Sequence, residues 1–355
     1  MNIAFVVNQT HKEDAAFTTT LLAYRALQRG HSIYYIGLAD FVYLDGSQVA
    51  AHARIVHPTD FPISNDPNEP LGFDDRREGP PKQLLEKIRN TRKTRIPLAE
   101  LDMLWLRFDP VMDMINRPWA CTMSLQFAQL AQLEGVRVIN DPRTLIAAEN
   151  KLYLENFPVE IRPRTMVTRN YEDVQRFFDE QGQRTILKPL KGSGGKNVFL
   201  VSQGERHNLK QIVEVICRDG YLIAQEYLPE AQNGDIRLFV LNGKPLEVNG
   251  KYASVHRVQP KGEIRSNIHQ GSEARAAEIT PEMLDLVSKI TDQLRKDGMY
   301  FVGLDLIGNK IMEINVFSPG GIGHASTLNG QDYATAILED LERGCDIQSS
   351  GTSNL

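Results

Sequence analysis

The sequence is poor in cysteine and has no long hydrophobic run. Its 355 residues include three cysteines, Cys121, Cys217 and Cys345, and no two of them form a CxxC pair. This spacing excludes a disulfide framework and favours a reducing compartment. No apolar stretch approaches the roughly 18 residues that a membrane span needs, and the start of the chain lacks the positive region and the length of a signal peptide. We therefore expect a cytoplasmic protein without a membrane partner.

Basic charge is also scarce. Lys and Arg total 40 against 45 Asp and Glu, which gives a net charge of −5. Proteins dedicated to nucleic acid normally carry a basic excess, so no nucleic-acid partner is expected. The composition is otherwise ordinary for a globular protein, with 41% hydrophobic and 24% charged residues. The length predicts two or three domains.

Several well-known catalytic motifs are missing. No G-x-G-x-x-G follows the first predicted strand, so nothing supports a nicotinamide-type cofactor, and the Walker A pattern G-x-x-x-x-G-K-[ST] is absent. An HExxH metal site, a Ser-His-Asp set and a catalytic cysteine are not apparent either. The chemistry must therefore come from other groups.

The order of predicted elements is typical of an α/β protein. The first 140 residues predict a βαβ arrangement, with elements at Ile3–Val7, Asp14–Gly30, Ser32–Ile36, Phe41–His57, Leu101–Leu106, Pro118–Leu133 and Val136–Ile139. The polar segment Pro58–Pro97 predicts a long surface loop with a short helix. Strands and helices continue after residue 141, and residues from 346 onward are predicted to form a disordered tail.

A glycine-rich loop follows a predicted strand within residues 186–198. Gly192, Gly194 and Gly195 would free backbone N–H groups to converge on an anion, and Lys188 would add a positive charge. A hairpin turn without a ligand is the alternative, and the loop by itself does not distinguish the two.

A second motif is a predicted hairpin over residues 301–316. A two-residue turn at Gly308-Asn309 would pair Leu304 with Glu313, whereas a three-residue loop, Gly308–Lys310, would pair Asp305 with Glu313. The second register gathers an apolar face of Leu304, Leu306, Met312, Ile314 and Val316. Because burial of one apolar face selects register, we predict the three-residue loop.

In that register three oxygen-bearing side chains, Asp305, Glu313 and Asn315, share the opposite face of the hairpin. Carboxylate and amide oxygens suit Mg²⁺, which also binds phosphate. The alternative is a solvated outer face with no metal.

Two further stretches carry candidate binding residues. Arg257 and Arg265 flank a polar loop, and arginine suits bidentate binding of carboxylate or phosphate, although loop arginines are often solvated. The stretch Gln225-Glu226-Tyr227-Leu228-Pro229 ends a predicted strand, where backbone groups would meet an adenine edge unless it is a plain strand end.

Taken together and in this order, the motifs resemble the ATP-grasp superfamily and, within it, the bacterial glutathione synthetase family. The matching stretches begin at Glu149-Asn150-Lys151-Leu152, and continue through Ile186–Leu190 with its glycine loop, Gln225–Pro229, Gly234–Arg237, Arg265–Asn267, Val302–Gly308 and Glu313–Pro319.

The resemblance implies a fold and its division. The fold would be α/β, with α+β character in the C-terminal part. A pre-ATP-grasp α/β domain that binds substrate would occupy residues 1–140. A two-lobed ATP-grasp domain would follow over residues 141–345, with a lid lobe at about 160–228 and a metal and catalytic lobe at about 229–345.

The resemblance also implies ligands and their residues. ATP would contact Lys151, Lys188, Gly192, Ser193, Gly194, Gly195, Gln225, Glu226, Tyr227, Leu228 and Arg237. Asp305, Glu313 and Asn315 would hold Mg²⁺, with Mn²⁺ as an alternative. Arg257, Arg265 and Asn267 would stabilise the phosphorylated intermediate, and Arg107 would face the peptide substrate.

The implied activity is ATP-dependent joining of a carboxylate to an amine through an acylphosphate, namely γ-glutamylcysteine to glycine, in a homo-oligomer that acts on small peptides and amino acids. An ATP-grasp ligase for another pair, such as a glutamate-adding or dipeptide ligase, and a non-catalytic nucleotide-binding regulator are the alternatives. Two features depart from the family. Gly320-Gly321-Ile322-Gly323-His324 replaces its usual Arg-Glu pair, which leaves the acceptor open, and Pro58–Pro97 is longer than expected.

Overall fold

The structure is a computed structural model that describes residues 1–62, 64, 69–72, 79–192, 194–259 and 272–351. Across these residues no helix combines the length and the apolar character that crossing a membrane would require.

The N-terminal part is built on a seven-stranded sheet. Its elements are β1 (Asn2–Val7), α1 (Thr18–Gln28), β2 (Ser32–Gly37), β3 (Phe41–Leu44), β4 (Gln48–Val56), α2 (Pro80–Asn90), β5 (Thr94–Pro97), β6 (Met103–Leu106), α3 (Trp119–Leu133), β7 (Arg137–Ile139) and α4 (Pro142–Ala147). The strand order is β3-β4-β2-β1-β6-β7, with β5 paired to β4. Strands β2, β1, β6 and β7 are parallel, which confirms the predicted βαβ pattern.

Parallel strands that are covered on both faces explain the continuous apolar runs of this sheet. In β1, Ile3 to Val7 are all buried, and β6 is buried throughout. The first helix ends as its sequence predicts, because Gly30 adopts φ +80°, the left-handed conformation that commonly follows a helix C-terminus.

The segment between residues 58 and 97 is more structured than a loop. It contains the predicted short helix, α2, but also a strand, β5, which the sequence pattern missed. Glu69 anchors the middle of the segment, because its buried carboxylate pairs with Arg25 at 2.8 Å and accepts a hydrogen bond from the Tyr24 hydroxyl at 2.7 Å.

A small lobe follows, with an antiparallel sheet in the order β10-β9-β11-β8. Its elements are β8 (Thr165–Thr168), α5 (Tyr171–Glu180), β9 (Arg184–Pro189), β10 (Phe199–Ser202), α6 (Leu209–Ile216) and β11 (Leu222–Glu226). The lobe has its own hydrophobic core, in which Phe177 and Phe178 of α5 pack with Leu187 and Leu222 of the sheet.

In its described residues, the C-terminal lobe contains a six-stranded antiparallel sheet and three helices. Its elements are β12 (Asp235–Leu241), β13 (Lys244–Pro245), β14 (Glu247–Val248), β15 (Lys251–Tyr252), β16 (Ser254–Val258), β17 (Glu273–Arg275), α7 (Pro281–Lys296), β18 (Phe301–Ile307), β19 (Lys310–Asn315), α8 (Ile322–Asn329) and α9 (Tyr333–Gly351). The order is β17-β16-β12-β18-β19, with β13 on β12, while β14 and β15 pair separately. Since α9 continues to Gly351, residues 346–351 are helical where a disordered tail was predicted.

The hairpin of β18 and β19 corrects one prediction and confirms another. Its turn is Gly308-Asn309, with Ile307 opposite Lys310, so the predicted three-residue loop is wrong. A bulge at Met312 then shifts the register and places Asp305 opposite Glu313, as predicted. The bulge also changes the apolar face, since Ile311 is fully buried in the core whereas Met312 lines a cavity.

The C-terminal lobe is fixed to the N-terminal sheet by a buried asparagine. Asn140, directly after β7, donates to the backbone oxygens of Phe301 at 3.0 Å and Val316 at 2.6 Å, and accepts from Phe301 N at 2.9 Å. These bonds hold both strands of the hairpin against the N-terminal part.

Candidate active site

A cavity of about 300 Å³ lies between the small lobe and the C-terminal lobe. Fourteen of the residues predicted from the sequence line it: Lys151, Lys188, Gly192, Gly194, Gly195, Gln225, Glu226, Tyr227, Leu228, Arg237, Arg257, Asp305, Glu313 and Asn315. Ser193, Arg265 and Asn267 lie outside the described residues. A smaller cavity of about 150 Å³ adjoins it and shares Lys151 and Glu313.

Lys151 connects the glycine loop to the predicted metal ligands. It follows Asn150, whose side chain caps the next turn by accepting from Leu152 N at 3.0 Å. The Lys151 ammonium donates to Gly192 O at 2.6 Å and pairs with Glu313 Oε1 at 3.0 Å. Its charge therefore lies where the loop and the carboxylates meet.

Lys188 enters the cavity from β9 and is held by the neighbouring strand. Its Nζ donates to Gln225 Oε1 at 2.9 Å, and Gln225 Nε2 donates to Thr165 Oγ1 at 3.0 Å. Burial and, to a smaller extent, the nearby Lys151 charge lower the pKa of Lys188 to about 8, against the opposing effect of Glu313 and Asp305. A bound anion would offset this destabilisation of the charged form.

Apolar side chains form the rest of the cavity wall near the end of β11. Ile186 comes from the small lobe, Leu228 follows β11, and Ile307 and Met312 come from the C-terminal hairpin. An apolar slot beside exposed strand-end backbone suits a flat heteroaromatic ring. Met312 was not predicted here, because alternation without a bulge assigns it to the core.

Asp305 lies between two arginines. Arg237 donates to both Asp305 oxygens, through Nε to Oδ1 at 2.5 Å and through Nη2 to Oδ2 at 3.1 Å, while Arg257 Nη2 lies 3.0 Å from Oδ2. Arg257 also forms a two-bond pair with Asp235. Burial would raise the pKa of Asp305, but Arg237 and Arg257 hold it well below its usual range. The carboxylate is therefore ionised, as a metal ligand must be.

The three predicted metal ligands lie together on the cavity side of the hairpin. Asp305 pairs with Glu313 across the strands, and Asn315 Nδ2 donates to Gly303 O at 3.3 Å and to Asp305 Oδ2 at 3.4 Å. No cluster of three or more His, Cys, Asp and Glu suited to a metal occurs in the described part of the chain. Two carboxylates and an amide still fit a divalent cation whose remaining ligands are phosphate oxygens and water.

Comparisons with known proteins identify the family. The family model described as "Prokaryotic glutathione synthetase, N-terminal domain" matches residues 1–145, and the model described as "Prokaryotic glutathione synthetase, ATP-grasp domain" matches residues 150–330. This chain belongs to the prokaryotic glutathione synthetase family. Its activity is therefore that of an ATP-dependent carbon–nitrogen ligase that uses a divalent metal, and the resemblance found in the sequence is confirmed.

Individual relatives support the same family assignment. Glutathione synthetase from Vibrio parahaemolyticus is 31% identical over 334 residues, which cover 94% of this chain and 93% of that protein. Glutathione synthetase from Thermosynechococcus vestitus is 34% identical over 244 residues, which cover 68% and 72%.

Solved structures share the fold at low identity. D-cycloserine synthetase DcsG superimposes with a TM-score of 0.57 at 13% identity and covers 96% of this chain and 99% of its own. D-alanyl-alanine synthetase A from Vibrio cholerae gives 0.53 at 12% identity, with coverage of 96% and 93%. The expected N-terminal domain followed by an ATP-grasp domain is thus confirmed.

Arg107, predicted from the family resemblance to face the peptide substrate, does not line either cavity. It is buried, donates to Pro319 O at 3.1 Å and to Thr19 Oγ1 at 3.3 Å, and lies over the rings of Trp105 and Phe301. Burial lowers its pKa to about 10, while nearby Glu13 acts in the opposite direction. In this structure Arg107 supports the chain segment that follows β19.

The two features that depart from the family contact each other. Gly320 O accepts from Arg237 Nη1 at 3.2 Å, and the first amides of α8, from Gly321 and Ile322, donate to Thr18 Oγ1 at 3.2 and 3.3 Å. Gly72, in the long segment, packs so closely on Gly323 that a Cβ there would lie 2.1 Å from Gly323 O. Neither contact has a local sequence signal.

Proposed function

We propose that this enzyme joins γ-glutamylcysteine to glycine with ATP and Mg²⁺ in the cytoplasm. The proposal rests on one observation above all. A single cavity gathers two lysines, a glycine loop and three metal-type oxygen donors beside Arg237 and Arg257, in a member of the glutathione synthetase family. The reducing environment suggested by the scattered cysteines suits a thiol substrate.

The chemistry needs positioning and charge neutralisation more than a protein nucleophile. The substrate carboxylate attacks the γ-phosphorus, the bond to ADP breaks, and an acylphosphate forms. The amine then attacks the acyl carbon, phosphate leaves, and the amine loses a proton. Mg²⁺ bound by Asp305, Glu313 and Asn315 would neutralise phosphate charge during these steps.

The residues of the cavity have separate roles in this scheme. Lys151 and Lys188 bind phosphate oxygens, with the loop from Gly192 to Gly195 across them. The strand end at Glu226 to Leu228 binds the adenine edge through its backbone. Arg257 stabilises the acylphosphate from the side of Asp305, together with Arg265 and Asn267, which the structure does not describe.

Arg237 holds the site together in the same scheme. It donates to Asp305 with one part of its guanidinium and to Gly320 O with another. A single side chain thus connects a proposed metal ligand to the glycine-rich segment before α8. We assign Arg237 a positioning role that keeps the acceptor end in register with the phosphates.

A ligase for a different carboxylate and amine is the second candidate, and one observation favours it. Residues 320–324 lack the charged pair usual in the family, and Gly72 packs against them instead. The amine acceptor is the substrate that this change affects most. A regulator without catalysis is disfavoured, because the lysines, the carboxylates and Asn315 are all present in one cavity.

Phosphate release from Mg-ATP distinguishes these functions. γ-Glutamylcysteine, glutamate and a set of dipeptides are each assayed with a panel of amines that includes glycine, serine and alanine. We expect turnover with γ-glutamylcysteine and glycine. Turnover with another pair alone would refute glutathione synthesis and support a ligase for different substrates. ATP binding without turnover on any pair would support a non-catalytic nucleotide-binding regulator.

A further inference from the structure

Helix α8 begins without a capping side chain of its own. Its N-cap residue is Gly321, so no side chain at that position accepts a hydrogen bond from the first turn. The first helical bond runs from Ala325 N to Gly321 O, and the earlier amides need acceptors elsewhere. Helices usually meet this need with a polar N-cap residue, as Asp141 does for α4 and Asn170 does for α5. In α8 the acceptor comes from another part of the chain.

That acceptor is Thr18, the first residue of α1, 303 residues earlier in the sequence. Its Oγ1 accepts from Gly321 N at 3.2 Å and from Ile322 N at 3.3 Å. Gly321 has φ +108°, a conformation that favours glycine and lets successive amides converge on one oxygen. Thr18 is only 3% exposed and Ile322 is fully buried, so bulk water cannot replace the hydroxyl.

The helix that supplies this hydroxyl is packed against the helix that it caps. Helix α1 contacts α8 directly. Leu21 and Leu22, one turn after Thr18, belong to the same hydrophobic cluster as Ile322 and Ala325 of α8. The N-terminal part therefore presents the Thr18 oxygen from a fixed position.

The segment before α8 is held at consecutive residues by both parts of the molecule. Arg107, which follows β6, donates to Pro319 O at 3.1 Å, and Arg237 of β12 donates to Gly320 O at 3.2 Å. Thr18 then binds the next two amides. The position of residues 319–322 relative to the N-terminal part thus depends on two side chains, Arg107 and Thr18.

We propose that Thr18 is a positioning residue for the amine acceptor, because it caps α8 across the domain boundary and so fixes residues 319–322. This rests on the ligase function proposed above, in which that segment borders the acceptor. Thr18 lines neither of the two cavities described above, so it acts through the segment rather than on a substrate. Gly321 is adjacent to the carbonyl that Arg237 binds, and Arg237 also donates to the proposed metal ligand Asp305. A shift of Gly321 therefore changes how the acceptor segment lies relative to the metal site.

Thr18→Val tests the proposal, because valine keeps a similar volume and removes the oxygen. Steady-state phosphate release is measured with the carboxylate and amine pair that the wild type turns over best. We expect the KM for the amine to rise on the order of fivefold, which corresponds to the loss of a typical helix cap. The KM for ATP should not change, since the proposed phosphate ligands Lys151 and Lys188 do not contact Thr18. Thr18→Ser keeps the oxygen and should restore the wild-type value.

Thr20→Val is the matched control. Thr20 is a buried threonine of the same helix, and its hydroxyl donates to Asp14 O at 2.7 Å, within its own segment. An equal rise in the amine KM in both valine variants would overturn the proposal, as would an equal change in the KM values for amine and ATP in Thr18→Val. An amine KM that is unchanged in Thr18→Val, or not restored in Thr18→Ser, would also overturn it.

Hydrogen exchange in the unliganded protein tests the cap without any turnover. In Thr18→Val the amides of Gly321 and Ile322 should exchange on the order of fivefold faster than in wild type, and in Thr18→Ser at the wild-type rate. Unchanged exchange in Thr18→Val would overturn the cap. Faster exchange with an unchanged amine KM would overturn the positioning role and leave the ligase function intact. A wild type that turns over no pair would instead refute the ligase function, and the acceptor role with it.

Discussion

Replacing Gly72 by alanine tests whether residues 69–72 hold the start of α8 in position. The added Cβ would lie 2.1 Å from Gly323 O and 2.6 Å from Gly323 C. Ordinary van der Waals contact begins near 3.4 Å, so one of the two backbones must move by more than an ångström. Gly72 is not free to retreat, because Glu69 is held by its buried ion pair with Arg25.

The size of the expected loss in folding stability follows from this geometry. Overpacking of a closed contact costs about 1–3 kcal/mol, and we expect a decrease of that size in the free energy of unfolding of Gly72→Ala. If the strain is relieved by moving the start of α8, Gly320 moves with it and its bond to Arg237 is disturbed. Each 1.4 kcal/mol transmitted in this way raises the KM for the amine about tenfold, while the KM for ATP stays the same.

Urea unfolding followed by circular dichroism, and steady-state phosphate release with varied amine, measure the two effects. Gly204→Ala is the control, because a Cβ at Gly204 would meet no atom within 4 Å and its backbone is not in the left-handed region. If Gly72→Ala matches Gly204→Ala in both stability and acceptor KM, residues 69–72 do not support the acceptor end.

Three further predictions concern the cavity. Glu313→Gln should abolish turnover and leave the circular dichroism spectrum intact, because it removes a proposed metal ligand at a partly exposed position; near-normal phosphate release would refute the metal assignment. Asp305→Asn should lower the free energy of unfolding by about 3–5 kcal/mol at pH 7, since it leaves buried Arg237 and Arg257 charges uncompensated. Because the pKa of Asp305 is held well below its usual range in the folded protein, its contribution is present above the unfolded pKa of about 4 and is lost progressively as the pH falls below it; in urea titrations at pH 3 to 7 the difference between wild type and variant should stay constant down to about pH 4 and begin to narrow at pH 3. Since the pKa of Lys188 is about 8 in the free enzyme, calorimetry should show ATP binding weakening as the pH rises past 8, and Lys188→Arg should remove this dependence; equal pH profiles would contradict it.

Short sequence motifs were sufficient to predict most of the residues that line the cavity. Lys188 and its glycine loop, the strand end at Leu228 and the hairpin of Asp305 are each encoded within about a dozen residues, so their patterns are visible without a structure. The contacts that bring these motifs together are not visible in the sequence. Asn140 reaches Phe301 and Val316 across 161 and 176 residues, and no periodicity reports such a pairing.

The same limit applies to buried charge. The family resemblance assigns Arg107 to the peptide substrate. The structure gives that side chain to Pro319 and Thr19 in the interior. Whether a charged residue faces a cavity or the core depends on packing from another domain, which the neighbouring residues do not encode.

The bulge in β19 explains why the predicted three-residue turn is wrong while the predicted pairing of Asp305 with Glu313 is confirmed. A two-residue turn with regular pairing would place Met312 opposite Asp305 and Glu313 opposite Leu304. One extra residue on β19 moves Glu313 back opposite Asp305. In this sequence the bulge therefore brings the two carboxylates together despite the shorter turn. It also places the Met312 side chain beside Ile307 in the wall of the cavity, as bulges beside functional sites commonly do.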